Sequence, residues 1–156
     1  MVQHEDGLAG LFSDLVRLET ALWNRLDRKL EATHGVPLRW FEPMRVVSLS
    51  KKGHLKVNEI AEALMITVGG TSKVVDRITD AGYFRREPDP GDRRVSRVVL
   101  TPAGKRQLAS ASKTHRRELE RLIAGTLDAK ERRQLGTLIG RLLEPNRPTS
   151  TDHPIA

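Results

Sequence analysis

Between Val57 and Leu100 the spacing of the apolar residues changes character abruptly, and that change restricts the fold more than any other feature of the sequence. Ile60, Ala61 and Leu64 lie at helical spacing in a short segment, about 57–64. Almost at once a second helical set follows, Thr71, Val74, Val75 and Ile78, with Thr67 suited to cap its start and Gly82 to stop it. The period then switches. Tyr83–Glu87 and Arg94–Leu100 are β-prone runs around Pro88–Asp92, "PDPGD", a cluster of turn formers. In the second run Val98 and Leu100 share one face, so the pair reads as a hairpin with a polar, basic tip.

Helical patterns flank this block. Leu8, Leu11, Leu15, Leu18, Leu22, Leu26 and Leu30 recur in steps of three and four, which predicts a first helix of ~25 residues, long for a globular helix. Gly35 and Pro37 end that pattern. A second helix is predicted over about 38–50, anchored by Trp40, Phe41, Met44 and Val47. Thr101-Pro102 is a helix start, and that helix runs to about Ala124 with Leu108, Ala111, His115, Leu119 and Leu122 along one face. Asp128 with Glu131 resembles a capping box ahead of a last helix bearing Leu135, Leu138, Ile139 and Leu142. The Pro-rich, polar stretch from Pro145 is expected to be disordered. The fold class is mainly α with a small β-hairpin wing (α+β): a winged helix-turn-helix with long N- and C-terminal helices. In that arrangement the first short helix braces the second, whose N-terminal residues enter a DNA major groove, while the hairpin reaches toward phosphates or the minor groove.

Charge suits this arrangement. The 156 residues carry 27 Lys+Arg against 20 Asp+Glu, a net +7, which favours a polyanionic partner, nucleic acid or an anionic membrane surface. Over residues 67–106 nine basic residues face five acids, so +4 of the excess falls on the stretch from the second short helix through the hairpin to the start of the next helix. With no cysteine, thiol switches, thiolate metal sites and disulfides are excluded. Only 4% of residues are aromatic, a poor basis for stacking single-stranded bases. No apolar run approaches the ~18 residues of a membrane span, and the N-terminal "MVQHEDGLAG" has no basic-then-apolar leader pattern, so a cytoplasmic protein is expected. The five histidines, His4, His34, His54, His115 and His153, show no metal-ligand spacing. No nucleotide loop, nucleophile elbow or HExxH is present, which argues against an enzyme, a metal or a cofactor.

The stretch from Leu55 to Lys105 resembles the core of a MarR-type transcriptional regulator. The matching positions are Ile60-Ala61 with Leu64, then Thr67, then Asp76-Arg77-Ile78 with Gly82. The wing follows as Asp89-Pro90-Gly91-Asp92-Arg93-Arg94, and then Val98-Val99-Leu100-Thr101 with Gly104. The resemblance covers about residues 8–143. It departs at Lys56, where the family usually caps the bracing helix with Ser or Thr, and at the adjacent Gly69 and Gly70. It implies a helical dimerisation region (8–36 and 102–144), a DNA-binding lobe (37–101) and a tail (145–156). It also implies a homodimer on a pseudopalindromic operator, usually as a repressor. The family's small, often aromatic or anionic, effector would lie in a crevice for which Trp23, Trp40, Phe41 and Met44 are candidates, each equally placed to be core.

The candidate DNA-contacting residues are Thr67, Val68, Gly69, Gly70, Ser72 and Lys73 on the outward N-terminal face of the second short helix. Thr67, Ser72 and Lys73 offer polar contacts, and Val68 an apolar one to a thymine methyl. Arg77 is a candidate phosphate contact or the partner of Asp76 or Glu87. Arg93 and Arg94 are candidates for the minor groove, with Asp92 holding an arginine or capping the turn. Arg85, Arg86 and Arg97 are further backbone contacts or solvated charges. In a helix interior each glycine costs roughly 0.8–1 kcal/mol relative to alanine. Gly69 and Gly70 are therefore read as side chains left out where DNA comes close, and alanine at either is expected to preserve the fold. Two rival readings remain at this stage: a winged helix that binds protein rather than DNA, and an enzyme acting on an anionic substrate.

Overall fold

The computed structural model describes residues 7–147. The candidates His4 and His153, and the tail beyond residue 147, lie outside them. α1 spans Leu8–His34, one turn past the last leucine of its stripe, and ends at Gly35 in the left-handed conformation (φ 64°). α2 is Leu38–Leu49. Its first amide is capped from a distance: the Asp27 carboxylate of α1 accepts from the Leu38 N–H at 2.7 Å. α3, Val57–Leu64, and α4, Val68–Asp80, follow the predicted spacing. The hairpin is β2, Phe84–Pro88, and β3, Ser96–Leu100. α5 covers Pro102–Leu119 and runs into a π-helical turn, Glu120–Ala124, where the sequence predicts a single helix. α6 is Ala129–Leu143, with both arms of the Asp128–Glu131 capping box formed.

The sheet has a third strand that the sequence does not announce. β1, Leu55–Lys56, pairs antiparallel with β3, so the order is β1-β3-β2. Two residues are too few for alternation to register. Lys56 also precedes α3 as its cap position. Lysine has no acceptor, so the cap is one-sided: Glu59 accepts from the Lys56 backbone N–H at 2.7 Å.

One apolar cluster joins the long helices to the lobe. Leu26 and Leu30 of α1, Phe41, Met44 and Val47 of α2, Ile60 of α3, Val75 and Ile78 of α4, Phe84, Val98 and Leu100 of the sheet, and Leu108 and Ala111 of α5 are buried together. The rest is unevenly covered. No residue of α6 is buried, and Leu135, Leu138, Ile139, Leu142 and Leu143 are exposed. The N-terminal half of α1 likewise exposes Leu8, Leu11, Phe12, Leu15, Val16 and Leu18.

α5 is seated on the hairpin by backbone. Thr101 caps it through the Gly104 N–H (3.0 Å), donates its own hydroxyl to the Gly82 carbonyl (2.6 Å), and donates its N–H to the Tyr83 carbonyl (3.0 Å). A Cβ on Gly104 would stand 2.1 Å from the Tyr83 oxygen. Gly104→Ala must push α5 off the sheet. It should lower unfolding free energy by about 1–3 kcal/mol, as overpacking does, in a urea titration of the purified protein.

His115 stacks on Phe41 with ring centroids 4.6 Å apart. Burial holds its pKa below the ordinary 6.5, Glu42 pulling the other way and Arg45 adding to the depression. A histidine depressed in the folded state favours folding when neutral. Its contribution is complete above the unfolded value and is lost as pH falls below about 6.5. His115→Leu should flatten the decline in urea midpoint between pH 7 and 5 relative to the parent. An unchanged slope would show that other groups set it.

Candidate nucleic-acid interface

α3 and α4 meet across Met65, Ile66 and Thr67. Met65 takes the left-handed conformation (φ 53°), and the Ile66 N–H returns to the Ala61 carbonyl at 3.0 Å. Thr67 caps α4 by accepting from the Gly70 N–H (3.1 Å), while Thr71 turns inward and donates its hydroxyl to the Thr67 carbonyl (2.8 Å). With Thr71, Val75 and Ile78 buried, the outward surface comprises Thr67, Val68, Gly69, Gly70, Lys73 and Arg77, with Ser72 half-buried beside them. These residues share the exposed start and flank of one helix. The two glycines differ. A Cβ on Gly69 would meet nothing within 4 Å, whereas one on Gly70 would lie 3.0 Å from the Thr67 hydroxyl oxygen. Alanine is therefore unhindered at Gly69, whereas at Gly70 it sits tightly against the cap and requires the Thr67 hydroxyl to give by a few tenths of an ångström.

The wing is organised by Asp89. Its Oδ1 accepts from the Gly91 and Asp92 amides (2.8 and 3.2 Å), closing the turn. Its Oδ2 accepts from Arg97 Nε (3.0 Å) and faces Lys56 Nζ (3.5 Å). The Arg97 hydrogen bond and then the Gly91 amide hold this carboxyl well below the usual range, against the opposing effect of its burial. Asp92, read from sequence as holding an arginine or capping the turn, works locally in that way, accepting from the Arg94 N–H (3.0 Å) and lying 3.5 Å from Arg94 Nε. Arg93 and Arg94 stand exposed at the tip, and Arg93 has no carboxylate partner among the described residues.

A second link ties wing to helix. Arg86 donates to Asp76 of α4 (2.7 Å) and to Ser96 of β3 (2.9 Å). Asp76 is therefore taken by Arg86, and Glu87 by Arg85 (2.8 Å). Arg77, offered from sequence as a partner for either acid, pairs with neither. Arg86 and Arg97, offered as backbone contacts, are engaged within the fold. The sequence signal for Asp89 was present: an Asp two and three residues before backbone amides in a Pro-Gly turn forms an Asx-turn.

The four crevice candidates differ in exposure. Phe41 and Met44 are fully buried core, Trp23 is exposed, and Trp40 is half-buried with its indole Nε1 buried and unpaired. The described clefts lie elsewhere. One, of about 400 Å³, is lined by Val47, Ser48, Leu100, Lys105, Leu108 and Ser112. The other is an open basic groove between Arg25, Arg28 and Lys29 of α1 and Arg121. Among the described residues no group of acids and histidines is placed to hold a metal ion, and no helix is long and apolar enough to cross a membrane.

Asp89 is thus the testable centre of the wing. Asp89→Ala should speed amide hydrogen exchange at Gly91 and Asp92 while leaving α2 protected. Because the folded pKa is depressed, the parent wing should keep its protection at any pH above about 4 and lose it only as pH falls toward the depressed value.

Residues 34–95 match the model of the MarR family. The chain is 37% identical over 81 residues to the uncharacterized HTH-type transcriptional regulator YcgE of Bacillus subtilis, covering 51% of this chain and 47% of that protein. It is 34% identical over 85 residues to the HTH-type transcriptional regulator PecS of Dickeya dadantii, covering 54% and 51%. The matched region thus spans about half the length of these curated relatives. In structure it resembles the MarR family regulator Sco3205 of Streptomyces coelicolor, solved in complex with DNA. The TM-score is 0.83 at 24% identity, over 90% of this chain and 92% of that one. It also resembles a mutant MarR of E. coli complexed with operator DNA, with TM-score 0.72 at 21% identity over 88% and 99%. The helix-turn-helix, the braced wing and the matched segment agree: residues 34–95 carry the sequence pattern of the MarR family, and the chain has the winged helix-turn-helix fold of the MarR-family structures it resembles.

Proposed function

We propose that this protein is a sequence-specific, double-stranded-DNA-binding transcriptional regulator that works as a homodimer. The observation that carries the reading is the exposed N-terminal face of α4, bearing Lys73 and Arg77 without acid partners among the described residues, beside a wing whose tip presents Arg93 and Arg94. α4 enters the major groove through Thr67, Val68, Gly69, Gly70, Ser72 and Lys73. Arg77 reaches a phosphate, and a wing arginine enters the minor groove. The relatives named as transcriptional regulators and the DNA-bound structural neighbours support this.

The uncovered apolar faces of α1 and α6 support the homodimer. A two-fold dimer presents two α4 helices to a pseudopalindromic site. Repression relieved by a small effector completes the reading. Phe41 and Met44 are sealed in the core, so any contribution from the four crevice candidates comes through Trp23 and Trp40.

Binding to duplex DNA selected from a random pool tests this. Several phosphate contacts should weaken affinity about a thousandfold or more between roughly 50 and 200 mM salt. Arg93→Ala with Arg94→Ala should cost roughly tenfold at fixed salt, and light scattering should return twice the 17.5 kDa chain mass. A folded protein that enriches no sequence at either salt would instead favour a winged helix that docks on protein.

A further inference from the structure

The leading end of α4 is chemically unusual for a helix that reads bases. From Met65 to Ser72 the residues are Met, Ile, Thr, Val, Gly, Gly, Thr and Ser. None has the long polar side chain that pairs twice with guanine or adenine in the major groove, as Arg, Lys, Asn and Gln do. Thr71 is buried and donates inward, and the Thr67 oxygen already serves the Gly70 N–H. What this end presents is apolar: Val68 is 54% exposed and Ile66 45%.

Gly69 adds an independent observation. It has no positive φ and its missing Cβ would meet nothing, so the fold does not require glycine there. Gly70 is accounted for internally by its contact with the cap, and Gly69 is not. A helix that forgoes the stability a side-chain-bearing residue would add at an open position gains room for something outside the chain. The apolar group in the floor of a major groove is the C5-methyl of thymine.

We propose that Val68 selects a thymine methyl in each half-site, with Gly69 letting the helix backbone come close enough for a short aliphatic side chain to reach it. This rests on the DNA-binding reading above. Base selection by α4 is then dominated by methyl contact, and Lys73, a turn further on, provides charge.

The test uses the intact protein and the tightest duplex enriched from a random pool. Each thymine is replaced singly by deoxyuridine, which removes only the methyl and leaves base pairing intact. One thymine per half-site should be sensitive, with affinity falling about fourfold for each methyl lost. Val68→Ala should bind the thymine and deoxyuridine duplexes equally. Gly69→Leu should melt at or above the parent temperature yet bind both duplexes more weakly. An enriched site whose thymines are all replaceable, or a Val68→Ala variant that keeps the full deoxyuridine penalty, overturns the methyl contact while leaving DNA binding intact. A pool with no enrichment at any salt overturns both readings.

Discussion

The backbone carbonyl of Tyr83 is the point on which the arrangement turns. α4 ends just before it, and β2 begins just after it. β3 returns beside it to Thr101, whose N–H it accepts, and α5 starts there with Gly104 pressed against it. Helix, wing and long C-terminal helix therefore share one junction built from backbone atoms, which cannot swing aside as a side chain can. The close approach works only because position 104 carries no Cβ. The orientation of α4 relative to α5 is set here, and the common apolar cluster behind it keeps the two parts from moving independently.

The wing's electrostatics sort its cations into two groups. Arg86, Arg97 and Lys56 are engaged with acids, Arg86 tying β2 to α4 and the other two holding the turn through Asp89. Arg93 and Arg94 are left projecting. Composition alone counts all of these as equal contributions to a basic surface. The structure separates the charges that shape the wing from those available at its tip, and the separation depends on two carboxylates, the buried Asp89 and the exposed Asp76.

The helices were legible because their signals are local. α3 follows Ile60, Ala61 and Leu64, α4 follows Thr67 and its inward set, and α5 follows Thr-Pro. β1 was not legible, since a two-residue strand exists only through its pairing with Val98 and Arg97. The partners of charged residues were read least well. Asp76 lies next to Arg77 in sequence and pairs with Arg86, ten residues away, because adjacent helix positions diverge. Asp92 holds Arg94 beside it, as its place near the tip suggests, whereas Asp89 reaches Arg97 of β3 and Lys56 of β1, which sequence distance hides. Phe41 and Met44 carried the same helical spacing whether they lined a crevice or filled a core, and their complete burial decides for the core.

α1 has a mechanical consequence. Its 27 residues extend about 40 Å at the helical rise, yet its buried leucines, Leu26 and Leu30, both lie near the Gly35 end. The helix is a lever clamped at one end. A tilt of only about 5° at the clamp carries the Leu8 end through roughly 3 Å over the ~33 Å from Leu30. A movement of that size at the free end therefore asks almost nothing of the packing around Leu26 and Leu30.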